Sequence, residues 1–287
     1  MSEPLLSVCL ITYNHVKYIK EAIEGVLMQK VNFTWELIIA DDCSTDGTRE
    51  IVLEFKQKYP EFIKLIFQKK NVGPAKNWLD LITYPKSDYI AYIEGDDYWT
   101  DSNKLQKQVD FMEANMKYSF CFHNAERFNC KTGLTKPFNL NLKPGAYTTK
   151  DLLLKNWIVP SASLLFRNNC LPNPIPEWFK TTNNGDLALE LVLSIKGNLF
   201  YFNEEWSVYR QYAINSITIS KQNPIKYFSN LLLLYINLSK TFSIKPKYAI
   251  YWTISKARLA LLKSRAYHRF PYLLKMKTNL LKSKITP

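Results

Sequence analysis

The residues best equipped for chemistry sit at the end of one segment, Tyr89 to Trp99, which reads Tyr-Ile-Ala-Tyr-Ile-Glu-Gly-Asp-Asp-Tyr-Trp. Its first half is a β-branched and aromatic run, the pattern of a strand buried on both faces. It passes without a spacer into Glu94, Gly95, Asp96 and Asp97. Carboxylates this close repel one another and raise each other's pKa, so keeping them ionised calls for a cation or ample water. Mg²⁺ or Mn²⁺ bridging a substrate phosphate is the usual occupant of such a site. The competing reading is a turn in which Asp97 or Asp101 caps the next helix.

The elements before that strand decide between these readings. Leu5 to Ile11 is an apolar run that stops at Thr12-Tyr13-Asn14. Ile19, Ala22, Ile23, Val26 and Leu27 then recur at helical spacing, with Asn14 as the expected N-cap. A second unit follows: a strand over Trp35 to Ala40, a polar loop from Asp41 to Gly47, and a helix marked by Ile51, Val52 and Phe55. Phe62 to Phe67 and Tyr89 to Ile93 supply two more strands, separated by the Asn71–Pro74 loop and a helix holding Trp78, Leu79 and Ile82. Strands alternating with helices imply an α/β domain with a mainly parallel, Rossmann-like sheet, and ligands of such sheets sit outside the carboxyl ends of the strands. Four polar loops therefore converge on one crevice. There Tyr13 offers a stacking face, Asp41 or Asp42 can accept hydrogen bonds from a base edge or ribose, and Lys76 can meet a phosphate. Neither a Gly-x-Gly-x-x-Gly fingerprint nor a Gly-x-x-x-x-Gly-Lys loop is present, which leaves the phosphates to a metal.

With 287 residues, 47% of them hydrophobic and 22% charged, the chain can bury a full core and is not of disordered composition. Met1-Ser-Glu-Pro enters the first strand without a basic leader, and no run of 18 apolar residues occurs. The expectation is a cytoplasmic protein with neither a signal peptide nor a spanning helix. Five widely spaced cysteines with no Cys-x-x-Cys pair argue against a disulfide framework or zinc site and are expected to be buried thiols.

In order along the chain, Ser7-Val-Cys-Leu-Ile-Thr-Tyr-Asn14, Ile39-Ala-Asp-Asp-Cys-Ser-Thr-Asp-Gly-Thr48, Asn71-Val-Gly73 and Glu94-Gly-Asp-Asp97 resemble the successive signatures of the family-2 inverting glycosyltransferases of the GT-A fold. The resemblance spans roughly residues 5 to 210 and is of the bacterial cell-surface polysaccharide type. It implies a nucleotide-sugar donor, a UDP-sugar in the first instance, a glycan or lipid-linked acceptor, a divalent metal at the Asp-x-Asp element, and inversion by direct displacement. On this resemblance Thr12, Tyr13 and Asn14 border the nucleobase and Asp41 and Asp42 contact base and ribose. Glu94 and Asp96 take the two Asp positions, with Asp96 as the principal metal ligand and Glu94 a longer substitute facing ribose or metal.

The later half carries fewer signals. Lys117 to Phe128 and Ser161 to Phe166 read as strands, and Gly133 to Lys155 as a connection with a short helix near its end. His123, inside the first of these strands, is a structural histidine. Asp186 begins an apolar helix of Leu187, Leu191 and Ile195 that Gly197 closes, where a carboxylate serves as a cap. The resemblance implies instead that Asp186 is the general base for the acceptor hydroxyl, with Gly185 where relatives often have Glu and with Glu190, one turn on, as the alternative base. It also makes Arg210 of Ser207-Val-Tyr-Arg-Gln-Tyr212 a diphosphate contact, while Tyr212 stands where a His is usual. The Gln-x-x-Arg-Trp element of processive relatives is missing, so one sugar per encounter is expected. Two other classes remain open on residues alone: a nucleotidyltransferase that makes sugar nucleotides, and a non-catalytic nucleotide- or membrane-binding module.

Charge divides the chain. From Trp206 to Pro287 there are 15 Lys or Arg and no acid, while the first 205 residues hold 23 basic and all 25 acidic side chains. A catalytic domain over 1–221, with a nucleotide-sugar half to residue 100 and an acceptor half beyond it, is therefore expected to precede a basic helical extension over 222–287. In the extension Asn223-Pro224 reads as cap and first-turn proline, and Pro246 and Pro271 start further segments. Tyr248, Tyr251, Trp252, Leu259 and Leu262 share one helical face, Ile250, Ile254 and Leu261 the opposite one, and Lys256, Arg258, Lys263 and Arg265 lie between. Such a helix suits an anionic membrane surface at the inner face of the cell membrane better than nucleic acid, for which no recognised fold appears. Each base near an acidic leaflet contributes about 1 kcal/mol of attraction, screened over about 10 Å at 0.1 M salt. The full chain is accordingly expected to cosediment with anionic liposomes, weakly with neutral ones and weakly at high salt, and a chain ending at Lys221 to lose that binding. Equal binding of both chains, or no lipid preference, overturns the assignment.

Overall fold

The computed structural model describes residues 3–155, 157–182, 184–214, 224–242 and 250. The chain divides into two units, Met1–Ser220 and Lys221–Pro287. In the first, β1 (Leu6–Thr12), α1 (Ile19–Leu27), β2 (Trp35–Asp41), α2 (Thr48–Lys58), β3 (Ile63–Phe67), α3 (Pro74–Ile82) and β4 (Tyr89–Glu94) alternate as the periodicity requires. Their strands run parallel in the order β3-β2-β1-β4.

β4 is buried along its length because both of its faces are covered. Tyr89, Ala91 and Ile93 join Leu6, Val8, Leu10, Leu37 and Ile39 under Ile19, Ala22, Ile23 and Val26 of α1. The opposite face, with Ile90 and Tyr92, is covered as well. α1 can lie this close to the chain because residue 25 is glycine: a Cβ there would meet the backbone N and O of Trp99 at 3.0 Å. Its N-cap is Tyr18, and Asn14, the cap expected from sequence, stands in the preceding loop at φ 54°. The helix starts late because the hydrogen bonds of residues 14 to 16 go to the β2–α2 loop.

Beyond β5 (Tyr98–Trp99) and α4 (Lys104–Ala114) the sheet continues in mixed sense through β6 (Tyr118–Asn129), β7 (Thr135–Pro137), β8 (Gly145–Tyr147), β9 (Leu165–Arg167) and β10 (Asn198–Gln211). Among the described residues it has ten strands, with β9 antiparallel to both β4 and β6, and β6 parallel to β10. The expected strand over 161–166 begins instead as a 3-10 turn, Ser161–Ser163, and only then enters β9. The expected connection over 133–155 contains β7 and β8 before its helix, α5 (Thr149–Lys155). α6 (Gly185–Ser194) takes Asn184 as N-cap, so Asp186 lies one residue inside the helix.

In the second unit α7 (Pro224–Phe242) starts on the proline and buries Leu231, Leu234, Tyr235 and Leu238 at helical spacing, with Leu233 exposed. The two-faced basic segment read from sequence lies outside the described residues, apart from Ile250. Among the described residues no helix is long and apolar enough to cross a membrane. All five cysteines are free; Cys9, Cys121 and Cys170 are buried as expected, whereas Cys43 and Cys130 are only partly so.

One buried charge-bearing group stands apart from the loops. Lys104 is wholly buried at the start of α4, with Nζ donating to Gln108 Oε1 at 2.7 Å and lying 4.0 Å from the centroid of the Trp99 ring. Burial drives its pKa from the ordinary 10.5 down to about 7. Above pH 7 the unfolded chain thus holds a proton that the folded one has released, so this residue makes stability rise with pH, by at most about 1.4 kcal/mol per pH unit. Relative to a Lys104→Met variant, the native protein is expected to gain more than about 1 kcal/mol between pH 7 and 9. Urea denaturation of both at the two pH values measures it, and a pH-independent difference refutes it.

Candidate active site

The parallel register puts Thr12 opposite Asp41, and Ile11 opposite Glu94. Three neighbouring strands thus end together, and their loops face one crevice. Gly95 closes the joint: its N–H donates to Ile11 O at 2.8 Å, and a Cβ would stand 2.8 Å from Thr12 Oγ1 and 2.9 Å from His15 Nδ1. No side chain fits between the two acids without moving Thr12.

The loops after β1 and β2 are bonded to each other. Asn14 N donates to Ser44 Oγ at 2.8 Å, Asn14 Oδ1 accepts from Thr45 N at 2.9 Å, and Val16 N donates to Asp46 Oδ2 at 3.0 Å. Tyr13, between them, is 39% exposed, as a stacking face must be. Asp41 Oδ1 accepts from Ser44 N at 3.0 Å and is paired with Arg49, while its Oδ2 is buried without a partner among the described residues. Asp42 accepts from Val72 N at 2.7 Å and Gly73 N at 2.9 Å, which ties down the Asn71–Gly73 loop; burial raises its pKa against the pull of those two bonds. His15, which sequence reasoning passed over, hydrogen-bonds Thr12 Oγ1 through Nδ1 at 3.3 Å; burial lowers its pKa despite Asp96, Asp46 and Asp41. Its position directly after Thr12-Tyr13-Asn14 was the available signal.

The two basic residues expected at phosphate are both engaged with protein groups. Lys76 pairs with Asp80 one turn along α3, at 2.5 Å. Arg210 is buried; its backbone N–H donates to Asp97 Oδ1 at 2.9 Å, Nη1 donates to Asp96 O at 2.7 Å, and Nη2 pairs with Glu21 of α1. The guanidinium also lies over Tyr98 and Tyr18, at 4.4 and 5.1 Å. In this arrangement Arg210 braces the chain that carries Asp96. Tyr212 sits at φ 64° with Lys131 over its ring at 4.6 Å.

The carboxylates gather from distant parts of the chain. Glu94, half-buried and bonded by the Ser161 side chain, has its pKa pushed up to about 8 by burial and by Asp96 and Asp186. Asp97 is raised by burial and by Asp96 and Glu94, and its Oδ2 has no partner among the described residues. Asp186 accepts from Leu187 N at 2.8 Å and is raised by burial. Glu190, buried one turn on, is raised by burial and then by Asp186, with an unpartnered Oε2. Among the described residues no three His, Cys, Asp or Glu side chains are grouped as metal ligands. The donor chemistry still suits Mg²⁺ or Mn²⁺, which are held by one or two carboxylates together with substrate phosphates; Asp96 and Glu94 supply two, and a cation would relieve the repulsion that raises Glu94. His123 is wholly buried beside Trp206 and its pKa is driven well below the ordinary value by burial, in keeping with a structural residue.

Comparison with known proteins agrees with this geometry. The chain is 30% identical over 225 residues to the putative teichuronic acid biosynthesis glycosyltransferase TuaG of Bacillus subtilis, covering 78% of this chain and 85% of TuaG. It is 32% identical over 208 residues to an uncharacterized protein of Mycobacterium tuberculosis, covering 72% of this chain but only 59% of that relative's length. The crystal structure of S. aureus TarS 1-349 in complex with UDP-GlcNAc superimposes with a TM-score of 0.66 at 16% identity, over 89% of this chain and 71% of that one. At that identity the likeness establishes the fold, GT-A. The sequence model of Glycosyl transferase family 2 matches residues 7–169, and the chain belongs to that family.

Proposed function

We propose that this protein transfers a single sugar from a nucleotide-diphosphate sugar, a UDP-sugar in the first instance, to a hydroxyl of a glycan or lipid-linked acceptor, with inversion, in cell-surface polysaccharide synthesis. The observation that carries the reading is the convergence of Glu94, at the end of β4, with Asp186, 92 residues later at the start of α6, close enough for each carboxylate to perturb its surroundings. A strand-end acid pair facing a helix-borne carboxylate provides separate groups for the leaving diphosphate and the attacking hydroxyl. The likeness to TuaG, a putative teichuronic acid biosynthesis glycosyltransferase, supports the polysaccharide setting.

Thr12, Tyr13 and Asn14 line the base end of the crevice in this reading. Asp41, bound to Arg49, and Asp42, bound to the Asn71–Gly73 loop, shape its ribose end. Asp96, aided by Glu94, would hold Mg²⁺ or Mn²⁺, which when bound offsets the negative charge of the departing nucleoside diphosphate. Arg210 keeps the Asp96 backbone in position, and Lys76 is available to phosphate by exchanging Asp80. Asp186 takes the acceptor's hydroxyl proton as that oxygen forms its bond to the anomeric carbon from the face opposite the diphosphate, and the electrons of the breaking C–O bond leave with the diphosphate. A carboxylate whose pKa burial has raised is a stronger base than one in water. The basic extension holds the enzyme as a peripheral protein at the inner face of the cell membrane, beside a lipid-linked acceptor.

Incubation with Mn²⁺ and a panel of nucleotide sugars, with and without inorganic pyrophosphate, tests the reading: nucleoside diphosphate supports it, nucleoside triphosphate and sugar 1-phosphate formed only with pyrophosphate mark a nucleotidyltransferase, and no product in either arm marks a binding module. Asp96→Asn is expected to abolish transfer and metal-dependent nucleotide binding with the circular dichroism spectrum unchanged. Asp186→Asn is expected to lower kcat by about 10²-fold or more with donor affinity unchanged, the usual share of a general base. Unchanged turnover of the first, or collapsed donor affinity in the second, removes the assigned roles.

A further inference from the structure

Among the described residues Trp157 is the tryptophan that is exposed; the others are buried or partly buried. It follows α5 at φ 53°, a left-handed conformation uncommon for a bulky residue, and remains 39% exposed. Its indole is nevertheless framed: Phe138 packs on it edge to face at 5.0 Å between centroids and Tyr209 at 6.0 Å. The backbone beside it is fastened as well, because Asn139 Nδ2 donates to Ile158 O at 2.7 Å while Asn139 N donates to Asn124 Oδ1 at 2.9 Å. A left-handed backbone held by that many contacts marks a residue whose orientation matters.

Within the same frame stands a cation without a counter-ion. The guanidinium of Arg127 lies 4.5 Å from the Phe138 centroid and 5.6 Å from that of Trp157, and its Nε is buried with no hydrogen-bond partner. Among the described residues it joins no ion pair, in contrast to Arg49 and Arg210. Its charge is met, among the described residues, by ring faces alone, which offset little of what a carboxylate or phosphate would.

The cluster lies on the side of the sheet where acceptor chemistry is assigned. Arg210 reaches Glu21 of α1, so Tyr209, its neighbour in β10, faces the other side, and Tyr209 pairs in register with Arg127. Asp186 acts on Tyr92 and Glu94, which alternate with the α1-facing Ala91 and Ile93 and so share that other side. Ser161, whose side chain bonds Glu94, is four residues from Trp157, a span of at most about 14 Å.

We propose that Trp157 is a stacking platform for a pyranose ring of the acceptor and that Arg127 binds an anionic group, carboxylate or phosphate, on that acceptor. An indole in a fixed frame presents a flat apolar face to the C–H face of a sugar, and a planar guanidinium matches either anion in a bidentate manner. The inference rests on the glycosyl-transfer reading and specifies its acceptor as acidic.

Saturation-transfer NMR on the full chain with methyl β-D-glucuronide, α-D-glucose 1-phosphate and neutral methyl β-D-glucoside tests it and separates the two anion sources. At least one anionic sugar is expected to bind about tenfold more tightly than the neutral one. Arg127→Gln should erase that preference and leave the neutral sugar's binding intact, whereas Trp157→Ala should weaken all of them about tenfold and Trp157→Phe only slightly. UDP binding, measured on every variant, should stay unchanged and reports intact folding. No binding of any sugar, equal binding of charged and neutral ones, or indifference to Trp157→Ala while UDP still binds overturns the proposal. A native chain that transfers sugar but fails these tests loses the platform and keeps the transferase reading; one that passes them without transferring loses only the latter.

Discussion

Burial of several carboxylates at the end of one covered strand, sharpened by their mutual repulsion, is the constraint to which the rest of this protein answers. Glu94, Asp96 and Asp97 emerge from β4 with Gly95 as their only spacer, and Asp186 arrives from α6 to add a further negative charge. The chain around them supplies compensation at several points. The Arg210 guanidinium binds the backbone of Asp96 and pairs with Glu21 while its backbone N–H donates to the carboxylate of Asp97, so one residue ties α1, the acidic turn and β10 together. What remains uncompensated is clearest at Glu94, whose pKa stays raised by burial and by Asp96 and Asp186.

Several polar residues near the crevice do structural work that also prepares a binding surface. Asp42 gives both oxygens to the N–H groups of Val72 and Gly73, and Asp46 serves Val16 and Thr48. Two loops are thereby fixed before any ligand arrives, which lowers the ordering cost of binding. Tyr13 is left exposed between bonded neighbours, and Trp157 is similarly framed by Phe138 and Tyr209.

Much of the first hundred residues could be read from order and pattern alone. Largely apolar runs gave β1, β2 and β4 within a residue or two, since strands covered on both faces carry few polar positions and pair those they have, as Ser7 does with Glu36, and polar residues following them marked the loops at the strand ends. The second half was less legible. β7, β8 and β9 are three-residue strands, too short for periodicity, and β10 carries bulges against β6 where alternation is interrupted. Asn14 shows the same limit on a single residue: its type suits a helix cap, but hydrogen-bond partners 30 residues away draw it into a loop.

By itself the amino-acid sequence determined the alternation of strands and helices, the acidic turn after β4, the charge division between the two parts of the chain, and membership in a family whose signatures are local strings. Those features depend on neighbours a few residues apart, so side-chain type and spacing suffice. Only the tertiary structure decided which acids hold loops, that Lys76 and Arg210 are already paired, that residue 95 must be glycine because Thr12 and His15 occupy its side-chain space, and that Arg127 lies among aromatic rings with no carboxylate partner among the described residues. Apart from the Lys76–Asp80 pair within α3, each of these rests on a contact between segments well separated in the chain, and the energies involved, burial of charge and close approach of backbones, exist only once the sheet has brought those segments together.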